Sequence, residues 1–465
     1  MKKQISRKVK THFLRGGFYM LLLQALCIIP FALAQRTTAK GNRPADVITV
    51  TNTNDSGFGS LRQALADANN GDTINFAVTG TIGLTSGELL VTRSITISGP
   101  GAGNLAVNGN NQSGVFHIAS GQTVTISDLT ITNGAGGGIY NDHAALTLNN
   151  CTITGNSSSF GAIHNDGTSI DGHATLQINS SLITSNSGHG IYNDAIQAGT
   201  ATVVITYSTL SNNSADAINN DGWSCLFCGN GTTSVQITNS SITGNGLAIY
   251  SDTGLQNCGV NGCPITILIT NSTISGNGGG VRNSTQSEAV VSNSTISDNG
   301  FGIYNDSGAI AASIYNTTMS NNGAEIQNFN APVVVYISNT IFNVSPGGHS
   351  ILNDNVGTVT SSGYNVSSDD GGGYLNATGD QINTHPLLGP LQDNGGPTLT
   401  HALLRGSPAI NAGDPNFTPP PLYDQRGPGF DRVRNGRVDV GSFEVQELTR
   451  PAATPKPRPT PRSRP

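Results

Sequence analysis

Basic side chains are nearly missing from the middle of this chain: between Arg93 and Arg405 the only lysine or arginine is Arg282. That absence excludes nucleic acid as a partner, because holding phosphates takes clustered cations. It also weighs against any mechanism built on a basic side chain. The formal charge is −6, but cations crowd both ends, so residues 35–449 carry about −17. Long apolar runs are missing too, and beyond residue 34 no stretch is long enough to span a bilayer. Helical runs have no room either. Gly, Asn, Ser and Thr interrupt every candidate, with 59 glycines alone.

What fills the chain instead is a repeat. Asn293 to Asn299 (NSTISDN) followed by Gly300 to Asp306 (GFGIYND) recurs in variants from end to end. The aliphatic that opens each second half is Ile139, Ile163, Ile191, Ile218, Ile249, Val281, Ile303, Ile326 or Ile351, in steps of 22 to 32 residues. Ahead of each lies a period-2 apolar pair, such as Val124/Ile126, Leu176/Ile178 or Val335/Ile337, and then a lone aliphatic such as Ile131, Ile153 or Met319. Alternation over so few residues means short strands with one buried face, which only stacking can bury. The expectation is an all-β, single-stranded parallel β-helix. Propeller blades need about 40 residues and antiparallel hairpins, and neither fits. Recurrent Asn156, Asn186, Asn213, Asn245, Asn277, Asn299 and Asn322 fall at one turn position, where Asn tolerates left-handed dihedrals and can ladder with its copies. The many N-x-S/T sequons are read as a by-product of that ladder.

Residues 1–34 read as a secretory signal with cleavage after Ala34, giving a secreted or cell-surface protein. Residues 45–93 read as an N-terminal cap and first strands. Ser60-x-x-Gln63 has a capping-box pattern, Leu61 and Leu65 share a helix face, and Gly71 supplies the stop. Residues 94–380 hold the repeats, 381–446 a non-periodic region, and 447–465 a Pro/Arg tail expected to be extended. Cys225, Cys228, Cys258 and Cys263 sit in two insertions at the same place in adjacent coils. Two disulfides are favoured there over a zinc site, and Cys151 is expected to be a lone buried thiol.

Val50 to Ala64 (VTNTNDSGFGSLRQA) resembles the opening of bacterial secreted right-handed parallel β-helix proteins, and the GG-I-Y-N and T-I-x-x-N repeats are similar to those of polymorphic outer-membrane proteins. Residues 385–445 resemble the choice-of-anchor Q domain of bacterial surface proteins. The matching motifs are His385 to Thr398, Gly406 to Asn411, Asp424 to Gly427 and Asp439 to Glu444. The resemblance implies a surface protein without a catalytic role, and the segment is expected to cap the C-terminal coil.

Two constellations could carry chemistry. Asp142, Asp166, Asp194, Asp221 and Asp252 should stack in successive coils. Like charges at coil spacing repel, so they must diverge, bind protons or share a cation, for which Ca²⁺ is the one cofactor candidate. Solvent-exposed Asx caps are the favoured alternative. Beside them Tyr140, His164, Tyr192, Tyr250 and Tyr304 take the outward position and could form a glycan-binding strip. Ser187 to Ile191 (SGHGI) resembles the motif of polygalacturonases, but the accompanying N-T-D, paired Asp and R-I-K are absent, so no catalytic residue is assigned. The expected function is a structural or adhesive β-solenoid binding polysaccharide or a cell-envelope surface. The alternative is a polysaccharide-active enzyme of pectinase type.

Overall fold

The computed structural model describes residues 44–222, 231–252 and 265–446, apart from 286, 307, 331 and 355. The segment read as a signal, the Pro/Arg tail and Cys225, Cys228, Cys258 and Cys263 lie outside the described residues.

Each coil runs through three strands. Thr123–Ser127, Thr130–Thr132 and Ile139–Asp142 make one coil, and Ala145–Asn149 then pairs in parallel with the first of them. Stacking the coils builds three parallel sheets of 13, 12 and 11 strands, called here first, second and third in coil order. The nine repeat aliphatics pair rung on rung in the third sheet, and Ile163 and Ile191 stand opposite one another with neither exposed. The paired apolar residues of the first sheet and the single aliphatics of the second point into the same core. The first coil is already complete within residues 73–91, inside the region expected to hold the cap and first strands.

Loops of unequal length do not disturb the stack because each strand register is re-set by side-chain ladders. Asn156 donates its Nδ2 to Asn186 Oδ1 at 3.1 Å, and Asn186, Asn213, Asn245, Asn277 and Asn299 each donate to the next at 2.9–3.0 Å. The left-handed backbone expected of these residues lies one position earlier, at Gly155, Ser185, Asn212, Gly244, Gly276, Asp298 and Asn321. Turn and ladder are therefore separate jobs on neighbouring residues: the turn residue faces outwards and frees the next Asn to point into the core. A second ladder went unread in the sequence. The Asn at the third position of the IYND-like motifs (Asn141, Asn165 and Asn193) donates upwards at 2.7 Å, Asn220 donates to Ser251, which takes the slot, at 3.2 Å, and the ladder resumes at Asn283. Orphaning one buried donor costs about 1–3 kcal/mol, so each ladder penalises slippage at every rung. Cys151 is a lone buried thiol, pushed up to about 11 by burial.

The N-terminal end is closed by helix α1, Leu61–Asp67, whose N-cap Ser60 accepts from Gln63 N–H at 3.2 Å. The reciprocal half of the expected box is absent, since the Gln63 amide donates to Asp67 instead. Asp55 and Arg62 pair at 2.7 Å, and Arg62 also holds the Gly87 and Glu88 carbonyls. The N-terminal motif thus ties the helix to the first coil. At the other end Leu375 joins the core and Gly372 lies against Ile351, with φ +60 and no room for a Cβ beside the Ile351 carbonyl.

Residues 385–446 do not cap that last coil. They fold back along the outer face of the second sheet, where Thr273 donates to the Leu399 carbonyl at 2.6 Å and Thr295 to Gln425 at 2.6 Å. Ser442 N–H donates to Thr318 at 3.0 Å. These outward hydroxyls are hydrogen-bonding partners of the kind an irregular segment needs, and covering them buries all three threonines. The motif residues hold the segment itself together. Arg426 pairs with Asp424 and lies between the rings of Phe430 and Phe443 at 3.9 and 3.7 Å. Asp439 and Glu444 accept backbone N–H groups from residues 411, 434, 439 and 445.

The first Asn ladder ends on Glu325, which accepts from Asn322 and is wholly buried. Burial pushes its carboxyl up to about 8. The fold therefore favours the protonated form. That stability is fully present below the ordinary glutamate value and is lost as pH rises towards 8. Glu444, also pushed up to about 8 by burial, acts with the same sign. The melting temperature should fall between pH 5 and pH 8, and Glu325→Gln should flatten part of that slope. An unchanged slope in the variant would contradict the assignment.

Candidate functional site: the ring and carboxylate strip

Along the third sheet the residue after each buried aliphatic points outwards, and so does the Asp two positions further on. The five residues expected in the outward row all lie there, in two groups. His117, Tyr140, His164 and Tyr192 form one, with ring centroids 4.8, 5.1 and 5.5 Å apart in succession. Asn219 then breaks the row. The second group is Tyr250, Arg282 and Tyr304, with the guanidinium 5.0 and 5.8 Å from the two ring centroids. Phe160 and His189 enlarge the first group from the turn before the third sheet. Phe160 stacks on His164 at 5.1 Å, and His189 lies 6.0 Å from Tyr192 and 3.4 Å from Asp216. None of His117, Phe160, His189 or Asp216 was singled out for this row from sequence. Phe160 and His189 sit in the variable slots just before the repeat aliphatic, where no periodic pattern marks them.

The five aspartates stack rung on rung, Asp142 against Asp166, Asp194, Asp221 and Asp252. None of the five is exposed, as a solvated Asx cap would be. Asp166, Asp194 and Asp306 are buried, and the reason is a diagonal contact that repeats along the sheet. Each outward donor reaches the Asp of the next coil: Tyr140 to Asp166 at 2.7 Å, His164 to Asp194 at 3.0 Å, Tyr192 to Asp221 at 3.0 Å and Arg282 to Asp306 at 2.7 Å. His117 stands 3.6 Å from Asp142 in the same sense. Tyr250 has no Asp above it and turns back to Asp252 of its own coil at 2.8 Å. Asp166 also closes an Asx turn, accepting from Thr168 N–H at 2.9 Å. The repulsion foreseen between stacked carboxylates is thus offset by interleaved donors. Two sets, Asp142/His143/Asp166 and His164/Asp166/Asp194, bring their ligand atoms within 4.8 Å. Both include an imidazole nitrogen, which suits a hard oxygen-seeking ion such as Ca²⁺ poorly.

Adjacent carboxyls are pushed apart in acidity. At Asp166 burial acts upwards, but the bonds from Thr168 and Tyr140 outweigh it and hold the carboxyl below the usual range. At Asp194 burial prevails over the His164 bond, the Asp166 charge adds to it, and the carboxyl is raised. One carboxyl held below the usual range beside one raised above it is the kind of division that general acid–base chemistry uses.

No family model matches the chain, and no curated protein matches its sequence. The resemblance of residues 385–445 to the choice-of-anchor Q domain therefore rests on its motif residues alone. Among solved structures, pectate lyase Pel9A superposes with a TM-score of 0.46 at 14% identity, covering 87% of this chain and 97% of that one. The A-module of the Azotobacter vinelandii mannuronan C-5 epimerase AlgE6 gives 0.41 at 16%, covering 72% and 93%. The catalytic domain of a GH87 alpha-1,3-glucanase gives 0.41 at 16%, covering 68% of each chain. At such identities the likeness concerns the fold and assigns no residue.

Tyr140→Phe removes one donor from Asp166 and should raise that carboxyl. A depressed Asp adds stability that is present at neutral pH and lost as pH falls through its folded value. The variant should be roughly 1–2 kcal/mol less stable at pH 7, with the gap closing towards pH 3. Melting curves at the two pH values check this, and a gap of equal size at both would count against the diagonal bond.

Proposed function

We propose that the chain engages polysaccharide along the first ring group of the third sheet and acts on the glycan there. The observation that carries this reading is the Asp166/Asp194 pair, unlike in acidity, lying under a platform of His117, Tyr140, His164, Phe160 and Tyr192. Ring faces grip the apolar faces of sugars, and flanking carboxylates accept from their hydroxyls. The structural or adhesive reading draws on the rings alone and gives the divided carboxyls no task, so the polysaccharide-active alternative accounts for more of the site. Charge narrows the substrate. With a row of carboxylates and no lysine or arginine but Arg282 between Arg93 and Arg405, a polyuronate would be repelled, so the class is neutral or amino-bearing glycans. The short gap between the carboxyl oxygens falls below the roughly 6.5–9.5 Å that an inverting hydrolase needs and nearer the spacing of a double displacement.

The test is release of reducing ends from a panel of neutral, amino and uronate polysaccharides, together with retention on the same polymers. Release from a neutral or amino polymer that vanishes in Asp194→Asn, with Tyr192→Ala weakening retention, is the expected result. Retention without release in any polymer would return the protein to the adhesive reading, and release from uronates alone would overturn the charge argument.

A further inference from the structure

Where the third sheet turns into the first, beside Asp142, a second constellation stands apart from the rings. Asp142 accepts from Nδ1 of His143, and Nε2 of His143 faces Ser169 Oγ at 3.3 Å. Ser169 lies in the short excursion that follows Asp166. Its φ of 119° is a region that a side chain other than Gly enters only under constraint, and such outliers gather at functional sites. Ser169 is exposed and, with His143, Ile170, Asp171 and His173, lines a cavity of about 530 Å³. The N–H of Ile170, the residue after Ser169, makes no hydrogen bond among the described residues and is free to receive a developing oxyanion.

We infer that Ser169, His143 and Asp142 form a nucleophile, base and orienting acid that hydrolyse a carboxylic ester, the substrate class being O-acyl esters carried by a glycan. Only the glycan part of that assignment rests on the function proposed above. Ser169 Oγ attacks the ester carbonyl carbon while its proton passes to His143 Nε2. The tetrahedral intermediate collapses, the C–O bond to the alcohol breaks, and the leaving oxygen takes that proton. Water then attacks the acyl-serine by the same route, releasing the carboxylic acid and restoring Ser169. Ester and water become acid and alcohol, with no oxidant or reductant involved.

Asp142 is the positioning residue, since its bond to Nδ1 leaves Nε2 turned to the serine. The Thr168 carbonyl lies closer to Nε2 than Ser169 does and can only accept, so it holds the Nε2 proton of the imidazolium; the ring serves as base once that proton has left, with Nδ1–H kept on Asp142. Burial lowers the basicity of His143, but the Thr168 carbonyl and Asp142 outweigh it, with Asp166 adding to the field, so the ring stands above its ordinary value. Hydrolysis should therefore rise with pH as the imidazolium gives up its proton.

The experiment uses the full chain with p-nitrophenyl acetate as substrate and a fluorophosphonate as covalent probe, followed by peptide mass spectrometry. The expected result is a label on Ser169 and ester hydrolysis, both lost in Ser169→Ala and His143→Gln while the melting temperature holds. Asp142→Asn should lower kcat with KM little changed and displace the pH profile, which a merely structural role would not do. No label at Ser169 in the folded wild type, or hydrolysis undiminished in Ser169→Ala, overturns the triad. Because the probes are small, the two readings fail separately. Glycan retained without a label sinks the triad alone, and a label without any glycan retained sinks the strip alone.

Discussion

The hydrogen bond between one coil and the next, made by backbone and by side-chain amides in the same register, is the constraint on which the rest of the molecule depends. A four-residue strand has no stability alone, and an Asn in a core has no partner alone. Stacking supplies both at once. Because the buried amides bond to their own counterparts, the sequence can vary loop lengths from coil to coil while every rung returns to the same vertical line. Hydrophobic burial would tolerate a slipped rung, since Ile, Val and Leu are interchangeable in such a core. The amide ladders would not, because a slip strands donors in the interior.

That register is also what creates a surface with chemistry on it. An outward Tyr or His and an outward Asp, unremarkable within one coil, become a continuous row when the coils pile up. The row then organises itself: Tyr140, His164, Tyr192 and Arg282 reach diagonally to the carboxylate of the next coil, so charges that would repel are separated by donors. The carboxyls are left with unequal donors and unequal burial, and Asp166 and Asp194 part company for that reason. The C-terminal segment uses the same periodicity on another face. Its Gln425 and Ser442 reach threonine hydroxyls of three successive coils, and those hydroxyls line up only because the coils do.

Much of this was legible in the residues. The repeat aliphatics, the first-sheet pairs, the Asn ladder, the stacked Asp row and the outward Tyr row all follow from period and position, and the structure places them accordingly. What the sequence did not show is of another kind. The left-handed turn residue and the ladder Asn are adjacent and often both Asn, as at Asn212 and Asn213, so composition cannot tell them apart. The diagonal contacts depend on the offset between coils, which no single coil records. His143 and Ser169 lie in a turn and an excursion outside the repeat, and they meet only because two coils of unequal length share an edge. The docking of residues 385–446 along the flank was hidden for a similar reason: irregular chain carries no period from which to read its direction.

The in-register stack can be tested without a further structure. Thr147 and Gln177 face each other across one rung of the first sheet and point outwards, whereas Thr175 is two residues out of step with Thr147. Cysteines at 147 and 177 should form a disulfide on oxidation, since paired Cα atoms on adjacent strands lie within bridging range. Cysteines at 147 and 175 should stay reduced. Mass spectrometry after mild oxidation decides it: a bond in the first pair and none in the second is the result the account predicts, and the reverse, or equal oxidation of both, would contradict it.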